Sequence, residues 1–183
     1  MLNDLARDAE IIGCCRLDVP AASSSLWLAW TSKGLRHCVW SPPKAVKPGG
    51  FGACEPSSLP DRYALLNVYL EGQAVDPVTL PVDPVGTPFQ LRVWNALRSV
   101  PRGQVRSYGG IAKDVGNPRA MRAVGGANGK NPIAIVVPCH RIVAAGSGLG
   151  GYSSGLDRKR FLLELEGVTL VDDGVAPGQT SFL

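Results

Sequence analysis

Glycine and proline divide the second half of the chain into short helical segments, and this punctuation limits the available folds more than any other feature. The segment 87–90 (Thr-Pro-Phe-Gln) has the form of a capping box with proline at the first helical position, and apolar residues at helical spacing follow it to Val100. Two further short helices are predicted, over 108–115 and from 119 to about 128. Three short helices with tight turns favour a helix-turn-helix unit.

The third of these helices is unusually rich in small residues. Its basic side chains, Arg119 and Arg122, alternate with alanine and glycine, while Met121 and Val124 provide an apolar face. Small residues allow either tight packing between helices or close approach to another surface. A helix of this kind suits the minor groove of DNA better than the major groove, where long polar side chains normally reach the base edges.

The first half of the chain has a different pattern. Two alternating stretches, 26–30 and 35–40, flank a turn signal at 32–34 and predict a β-hairpin or meander. The following stretch, 41–60, is rich in Pro, Gly and Ser and predicts a long loop.

Two further helices are predicted, one before and one after the middle of the chain. A short amphipathic helix is predicted over 60–72, and a last helix over 157–166 with Asp157 as its cap. Between the two halves, the four prolines of 77–88 predict a linker. We therefore expect two domains, over 1–83 and 84–183, in a chain whose 183 residues leave no room for a third.

The charge of the chain is concentrated in one segment. Residues 85–160 hold twelve Lys and Arg but only Asp114 and Asp157 as acidic residues, although the net charge of the whole chain is +4. A basic segment joined to a mildly acidic one suggests a polyanionic partner, although a solvated basic face would produce the same count.

Composition indicates the class of protein. Hydrophobic residues make up 45% of the chain, enough for a core, which excludes a disordered chain. Five scattered cysteines favour a reducing compartment over a secreted disulfide scaffold, and the acidic, polar start is not a signal peptide. The longest apolar run, 133–139, is too short to span a membrane. We expect a soluble, intracellular protein.

One segment has the residues of a reactive centre. Residues 133–137 predict a buried strand, which ends at Pro138-Cys139-His140-Arg141. Positive charge nearby would favour the thiolate of Cys139, although an isolated free cysteine is more often a small core residue. Adjacent side chains of an extended strand point to opposite faces, so Cys139 and His140 could cooperate only through a turn and a bridging water.

Two other motifs suggest different chemistry. The segment 146–151 contains G-x-G-x-x-G with Asp172 about twenty residues on, but no second strand–helix–strand pattern supports dinucleotide binding. The pairs Cys14-Cys15 and His37-Cys38 could supply zinc ligands, but they lack the usual spacing. The pattern of the last helix leaves Glu164 and Glu166 either solvated or turned back toward the reactive centre.

Several strings along the second half, taken together, resemble one family. They are Gly86-Thr-Pro-Phe-Gln-x-x-Val-Trp94, Ser107-Tyr108, Asn117-Pro-x-Ala-x-Arg-Ala-Val-Gly125, Asn131-Pro132, Pro138-Cys-His-Arg141 and Gly151-Tyr-Ser-x-Gly-Leu156. In this order they resemble the O6-alkylguanine-DNA alkyltransferases, which repair DNA by direct reversal. The resemblance is dense over 86–167, includes the junction at 70–72 and 80–81, and is weak over the first 60 residues.

The resemblance implies a fold and a function. The fold would be an α/β N-terminal domain, ribonuclease-H-like with an antiparallel sheet plus helix, followed by a mostly α-helical, winged-helix-like C-terminal domain with a helix-turn-helix. The function would be irreversible, stoichiometric transfer of the alkyl group of O6-alkylguanine to Cys139, after minor-groove binding and base flipping. O4-alkylthymine would be a further substrate.

The resemblance also implies roles for individual residues. At the reacting centre it places Cys139 as nucleophile, His140 as the acceptor of its proton through a water, Glu166 orienting His140, Asn131 pinning the turn, and Tyr108 assisting the flip and donating to purine N3. For DNA binding it implies Arg122 in the gap left by the flipped base, with Arg119, Ala120, Ala123, Ser107 and Tyr108. For the base pocket it implies Val137, Ile142, Tyr152, Ser153 and Lys159.

The expected partner is double-stranded DNA containing O6-alkylguanine, bound by a monomer in the cytoplasm (nucleoid-associated) or, in a eukaryote, the nucleus. No cofactor is expected. Zinc in the first domain is not expected either. Three rivals remain: a lesion-recognition relative without a reactive cysteine, a winged-helix regulator, and a cysteine hydrolase. The Pro-Cys-His-Arg string disfavours the first two, and the third lacks a separate histidine other than His37.

Overall fold

Three antiparallel strands form the first part of the computed structural model, which describes residues 11–40 and 59–176. Their order is β1 (Gly13–Val19), β2 (Ser24–Trp30) and β3 (Leu35–Val39), and β2 and β3 form the predicted hairpin. The predicted loop over 41–60, apart from its last two residues, and the polar start of the chain lie outside the described residues.

The cysteines of this sheet are buried thiols that form no disulfide with one another. Cys14 packs beside Ala29, whereas Cys15 and Cys38 belong to the main core. Cys14 and Cys15 therefore face opposite sides of β1, as neighbours on a strand must. Within residues 11–40 and 59–176, no three or more His, Cys, Asp or Glu side chains are grouped so that they could hold a metal ion.

The segment predicted to be a linker is bonded to the sheet. A 3-10 turn (Asp61–Tyr63) and the short helix α1 (Leu65–Leu70) lead to a second 3-10 turn (Pro77–Thr79). Next, the carbonyl of Pro81 accepts from Leu35 N–H at 2.9 Å, and Asp83 N–H donates to Leu35 O at 2.7 Å. The proline-rich stretch thus pairs with the edge of β3 and is not an unattached linker.

The three predicted helices are present, with one correction. The helix α2 (Pro88–Arg98) has the expected capping box between Thr87 and Gln90. Ser107, in β4 (Arg106–Ser107), caps α3 (Tyr108–Asp114) by accepting from Gly110 N–H. The helix α4 (Met121–Gly129) begins two residues later than predicted.

The late start of α4 has a local cause. The N–H of Ala120 closes a turn by donating to Asn117 O, and the Ala120 backbone, at φ −83° and ψ 16°, is not helical. Arg119 and Ala120 therefore lie in the turn between α3 and α4. The two helices pack against each other, as expected for a helix-turn-helix unit.

The prediction of a strand over 133–137 is wrong, although the prediction that it is buried is right. The segment is a pair of tight turns in which Val136 N–H donates to Ala134 O and Val137 N–H to Ile133 O. Ile135 has φ +72°, a left-handed conformation that a β-branched residue rarely adopts and that ends any strand. Only Ile133 makes a β-bridge, with Cys38.

The last part of the chain completes the fold. A two-residue strand β5 (Ile142–Val143) pairs in parallel with β4, and α5 (Leu156–Leu165) precedes the small hairpin β6 (Leu170–Val171) and β7 (Gly174–Val175). Gly155, at φ +97°, precedes α5, and Asp157 lies in its first turn rather than at its cap.

The glycine-rich segment 146–151 is not part of a dinucleotide-binding unit. It includes part of a 3-10 turn (Ala145–Ser147), and Gly148 bridges to Gly174 in β7. In the ranges that the structure describes, the parallel pairing is limited to β4–β5 and isolated bridges, so no doubly wound sheet accompanies the motif.

One hydrophobic core joins the two predicted domains. It contains Leu28 and Tyr69 from the first half and Trp94, Ile133 and Cys139 from the second. The backbone adds to this connection, because Cys38 N–H donates to Pro132 O at 2.9 Å and Ala134 N–H to Cys38 O at 2.7 Å. No helix among the described residues combines the length and apolar character needed to cross a membrane.

Candidate active site and nucleic-acid interface

The candidate nucleophile lies on a single helical turn. Cys139–Arg141 form a 3-10 turn in which Arg141 N–H donates to Pro138 O at 3.0 Å. Three residues complete one turn of a 3-10 helix, so Cys139 and His140 point about 120° apart rather than to opposite faces. The objection raised by an extended backbone therefore does not apply to this pair.

The side chain of Asn131 holds this turn in place. Its Oδ1 accepts from Ile133 N–H at 3.0 Å, which orients the amide so that Nδ2 donates to Val137 O at 2.7 Å. The same Nδ2 lies 3.0 Å from Cys139 Sγ. Asn131 thus bonds to the backbone before the cysteine turn and lies within hydrogen-bond distance of the sulfur, and its role in the reaction stays a prediction.

His140 and Glu166 are brought together in the interior, which settles the position that the sequence left open. His140 Nε2 lies 2.9 Å from Glu166 Oε1, and both side chains are fully buried. An ionised carboxylate only accepts, so the imidazole donates from Nε2 and keeps Nδ1 as its acceptor. His140 Nδ1 has no hydrogen-bond partner in the described part of the chain.

Residues that the sequence analysis missed complete this cluster. Arg141 Nε donates to Glu166 Oε2 at 2.8 Å and its Nη2 to Oε1 at 2.8 Å. The same guanidinium donates to both carboxylate oxygens of Asp76, at 2.9 and 3.2 Å, and to Val100 O at 2.7 Å. Tyr69 Oη donates to Glu166 Oε1 at 2.7 Å. Tyr69 and Asp76 are far from this site in sequence, so no local pattern pointed to them.

The environment sets the resting charges of the site. Burial raises the pKa of the Cys139 thiol, although Asn131, Tyr152 and Lys159 act in the opposite direction. Burial also lowers the pKa of His140, against the attraction of Glu166. For Glu166, burial is outweighed by the bonds from His140 and Arg141, which hold its pKa well below the usual range. At neutral pH the site therefore combines a thiol, a neutral imidazole and a carboxylate.

Lys159 is buried behind the cysteine turn. Its Nζ donates to Ile142 O and Leu149 O, both at 2.5 Å. Burial lowers the pKa of Lys159 to about 8. Through these two bonds Lys159 joins β5 to Leu149, and its positive charge lowers the pKa of the Cys139 thiol.

A cavity of about 340 Å³ opens beside the turn. Three of the residues expected around the base line this cavity: Tyr108, Tyr152 and Ser153. The other lining residues are Gly125, Asn128, Gly129 and Gly151. Asn128 was not predicted; its Nδ2 donates to Cys139 O at 3.4 Å and links the cavity to the nucleophile. Tyr108 Oη donates weakly to Gly151 O at 3.4 Å.

Three expected pocket residues do not line this cavity. Val137, Ile142 and Lys159 are buried and are not among its lining residues. The Val137 carbonyl already accepts from Asn131 Nδ2 and from Cys139 N–H, at 2.7 and 2.8 Å, and Val137 N–H donates to Ile133 O. In this conformation the Val137 backbone makes hydrogen bonds within the turn itself, and its contact with a base stays a prediction.

The exposed face of α4 combines basic and small residues. Arg122 and Ala123 are exposed on it, and Arg119 is exposed in the preceding turn, with Ala120 half-buried beside it. A Cβ added at Gly126 or Gly129 would meet no heavy atom within 4 Å. These glycines are thus not required for packing within the described part of the protein, and Ser107 serves as the cap of α3.

The comparison with protein families gives a match to one of them. Residues 88–168 match the family described as the 6-O-methylguanine DNA methyltransferase, DNA binding domain. A methylated-DNA–protein-cysteine methyltransferase of Shigella flexneri is 47% identical over 121 residues, covering 66% of this chain and 69% of that protein. The chain belongs to the methylated-DNA–protein-cysteine methyltransferase family. Cys139, His140 and Glu166 all lie in the part of the chain that matches the family's DNA-binding domain.

Other relatives agree with this family assignment. The protein of the same name from Methanosarcina acetivorans is 63% identical over 84 residues, which cover 46% of this chain and 54% of that protein, so the chain spans about half the length of this relative. The crystal structure of the Mycobacterium tuberculosis O6-methylguanine methyltransferase has a TM-score of 0.72 and 41% identity, covering 84% of this chain and 92% of that one. A structure of the same mycobacterial protein in complex with DNA has a TM-score of 0.73 and 40% identity, covering 85% and 93%.

Proposed function

We propose that the chain repairs O6-alkylguanine in DNA by transferring the alkyl group to its own Cys139. The observation that carries this proposal is the geometry around the thiol. Asn131 Nδ2 lies 3.0 Å from Cys139 Sγ, and the neighbouring His140 is held by Glu166 with its Nδ1 left as acceptor. A buried thiol beside an oriented, neutral imidazole is the arrangement needed for an activated nucleophile.

The first step is binding of the duplex by α4. The exposed Arg122 and the small residues Ala123 and Gly126 allow this helix to approach the minor groove closely. Arg119, Ala120 and Ser107 add contacts from the turn and from the start of α3. The mycobacterial relative whose structure is in complex with DNA supports DNA as the partner of this chain.

The second step is extrusion of the damaged base. The alkyl group of a stacked guanine is out of reach of a buried thiol, so the base must leave the duplex. Arg122 fills the gap in the stack, and the base enters the cavity lined by Tyr108, Tyr152 and Ser153. A volume of about 340 Å³ accommodates a purine with a small substituent.

The third step is the transfer itself. A water between Cys139 Sγ and His140 Nδ1 carries the thiol proton to the imidazole, and Glu166 stabilises the imidazolium that forms. The thiolate forms a bond to the alkyl carbon while the carbon–O6 bond breaks, and its electron pair remains on the purine. The purine becomes guanine by taking up one proton from solvent water, and the His140 imidazolium returns the former thiol proton to that solvent. Tyr108 stabilises the developing charge on the purine by donating to N3.

The product limits each protein molecule to one reaction. A thioether on Cys139 has no leaving group that the site could expel, so repair is stoichiometric. The balance of the reaction requires no cofactor or metal. O4-alkylthymine, which carries the same kind of ether carbon, is proposed as a second substrate.

We also propose the folds of the two domains and the cellular location of the protein. The three-stranded sheet with α1 is proposed to be part of a ribonuclease-H-like domain over 1–83, and the helices of 84–183 to form a winged-helix-like domain with α3 and α4 as its helix-turn-helix. The protein is proposed to act as a monomer in the cytoplasm, on nucleoid DNA, or in the nucleus of a eukaryote.

A titration of repaired lesions tests the proposal. Increasing amounts of protein are added to a fixed amount of duplex containing one O6-methylguanine, and the restored guanine is measured by nucleoside analysis. We expect repair to rise in proportion to the protein, stop at one lesion per molecule, and be absent with Cys139→Ser. Lesion-selective binding without repair would instead indicate a damage-recognition protein.

A further inference from the structure

Three hydrogen-bond donors converge on a single oxygen of Glu166. Oε1 accepts from His140 at 2.9 Å, from Arg141 Nη2 at 2.8 Å and from Tyr69 Oη at 2.7 Å, whereas Oε2 accepts from Arg141 Nε. Two of these donors, His140 and Arg141, come from the cysteine turn. Tyr69 comes from α1, in the other half of the chain, and lies outside the residues that match the family's DNA-binding domain.

The Tyr69 hydroxyl can act only as a donor in this place. The side chain is fully buried, and burial together with the charge of Glu166 raises its pKa well above the ordinary value, so the phenol stays protonated at neutral pH. A hydrogen bond to an ionised acceptor is among the stronger ones in proteins. The hydroxyl therefore has a fixed function toward the carboxylate rather than a packing function alone.

We infer that Tyr69 is a positioning residue for alkyl transfer: its hydroxyl fixes the Glu166 carboxylate and thereby the orientation and basicity of His140. This inference rests on the proposed alkyl transfer to Cys139. It also gives the N-terminal half a part in the chemistry, because α1 supplies a donor that residues 88–168 do not contain.

The direction of the effect follows from the electrostatics. The charged or titratable side chains that contact the Glu166 carboxylate are Tyr69 from α1 and His140 and Arg141 from the cysteine turn, with Asp76 on the far side of Arg141. Arg102 lies close as well, because its Nη1 donates to the backbone carbonyl of Glu166 at 3.5 Å and its charge acts on Tyr69. Lys159 adds positive charge near His140. A donated hydrogen bond withdraws electron density from the carboxylate, so its removal makes Glu166 attract an imidazolium more strongly. His140 would then be protonated at higher pH, where it can no longer accept the proton of the thiol.

The test compares Tyr69→Phe with Tyr63→Phe. Both tyrosines are fully buried and lie close together in the chain, but the hydroxyl of Tyr63 has no hydrogen-bond partner within the described residues. Each substitution thus removes the same oxygen from a buried site, and only one of them touches Glu166. Second-order rate constants for transfer from an O6-methylguanine duplex are measured from about pH 5.5 to about pH 8.5.

We expect Tyr69→Phe to lower the rate constant of transfer by about tenfold below neutral pH, because the acid limb of the pH–rate profile moves to higher pH. Above neutral pH the difference in rate constant between the variant and the wild type should become smaller. Tyr63→Phe should retain the wild-type profile. A deficit that is equal at every pH, or an equal shift in both variants, would overturn the inference. Absence of transfer by the wild-type protein would instead contradict the proposed function.

A measurement without DNA separates the two proposals further. The chain has two histidines, so its histidine ring spectrum contains two titrating signals, and His37→Gln assigns them. In folded Tyr69→Phe the His140 ring should titrate at higher pH than in the wild type, and an unchanged titration would overturn the inference. If this variant does not fold, a slowly exchanging Tyr69 hydroxyl proton in the wild type supports the bond, and its absence contradicts it.

Discussion

Asn131 Nδ2 lies 2.7 Å from the carbonyl oxygen of Val137 and 3.0 Å from Cys139 Sγ, so one amide joins the backbone before the cysteine turn to the sulfur that the turn presents. The other end of this amide is fixed by Ile133 N–H, which donates to Oδ1 at 3.0 Å. The thiol is thus placed by a side chain whose own orientation is determined, a requirement for a nucleophile that must meet a carbon within a few tenths of an ångström.

Replacement of Asn131 by Ala should slow alkyl transfer by about 10- to 100-fold, because the turn loses its anchor and the thiolate loses a donor. The hydrogen bond from Asn131 lowers the pKa of Cys139, so the variant's thiol should also ionise at higher pH. Single-turnover rates and the pH dependence of alkylation by iodoacetamide measure the two effects. Asn95→Ala, on the exposed side of α2, is the matched control, and equal behaviour of the two variants would remove Asn131 from the site.

Acid should destabilise the fold through His140. Burial lowers the pKa of this imidazole, so the folded state keeps it neutral where the unfolded chain, with a pKa of about 6.5, binds a proton. The contribution of His140 to the free energy of unfolding is therefore complete above the pKa of the unfolded chain, about 6.5. It is lost as the pH falls below that value, by at most about 1.4 kcal/mol per pH unit for one proton.

Urea denaturation from about pH 7.5 to about pH 5.5 tests this sign. His140→Gln should flatten the dependence of the free energy of unfolding on pH. Both proteins should carry His37→Gln, because burial also lowers the pKa of His37. Identical slopes with and without His140 would show that the imidazole is not held neutral.

Replacement of Arg122 by Ala should weaken binding of a lesion duplex while leaving the free energy of unfolding within about 0.5 kcal/mol. The side chain is exposed on α4, where the proposed interface lies. Fluorescence anisotropy at two salt concentrations measures the affinity. Lys33→Ala, in the exposed turn between β2 and β3, changes the charge equally and should bind as the wild type does, so equal losses would indicate an effect of net charge alone.

A larger side chain at Gly126 should change stability and DNA affinity in opposite directions. A Cβ there meets no heavy atom within 4 Å, so Gly126→Gln should stabilise α4 by about 0.5 to 1 kcal/mol through its higher helix propensity. The same side chain would hold the helix away from the minor groove and reduce affinity. Thermal unfolding and anisotropy give the two quantities, and unchanged affinity would place DNA on another surface.

The parts of this fold that follow local rules could be predicted from the sequence. The capping box of Thr87 and Gln90 and the cap at Ser107 each depend on residues within one turn of each other, and both are present. The predicted strand at 133–137 was wrong because an apolar run does not distinguish a strand from buried turns. The positive φ of Ile135 depends on its surroundings, which periodicity does not reveal.

The candidate site, too, could be predicted from the sequence only in part. Cys139 and His140 are adjacent in the chain and could be identified together, whereas Glu166 had two possible positions until the structure placed it against His140. Tyr69 and Asp76 gave no signal, because their contacts join residues 97 and 65 positions apart. Side chains that orient other side chains are set by tertiary packing, so sequence patterns alone do not reveal them.

The most direct test of the account is the mass of the protein after reaction with an O6-methylguanine duplex. The chain has five cysteines, so peptide mapping must follow the intact mass. The account predicts a gain of one CH₂ per molecule, located on the peptide that contains Cys139 and absent from Cys139→Ser. A gain on another cysteine, or none in a protein that binds the lesion selectively, would contradict it.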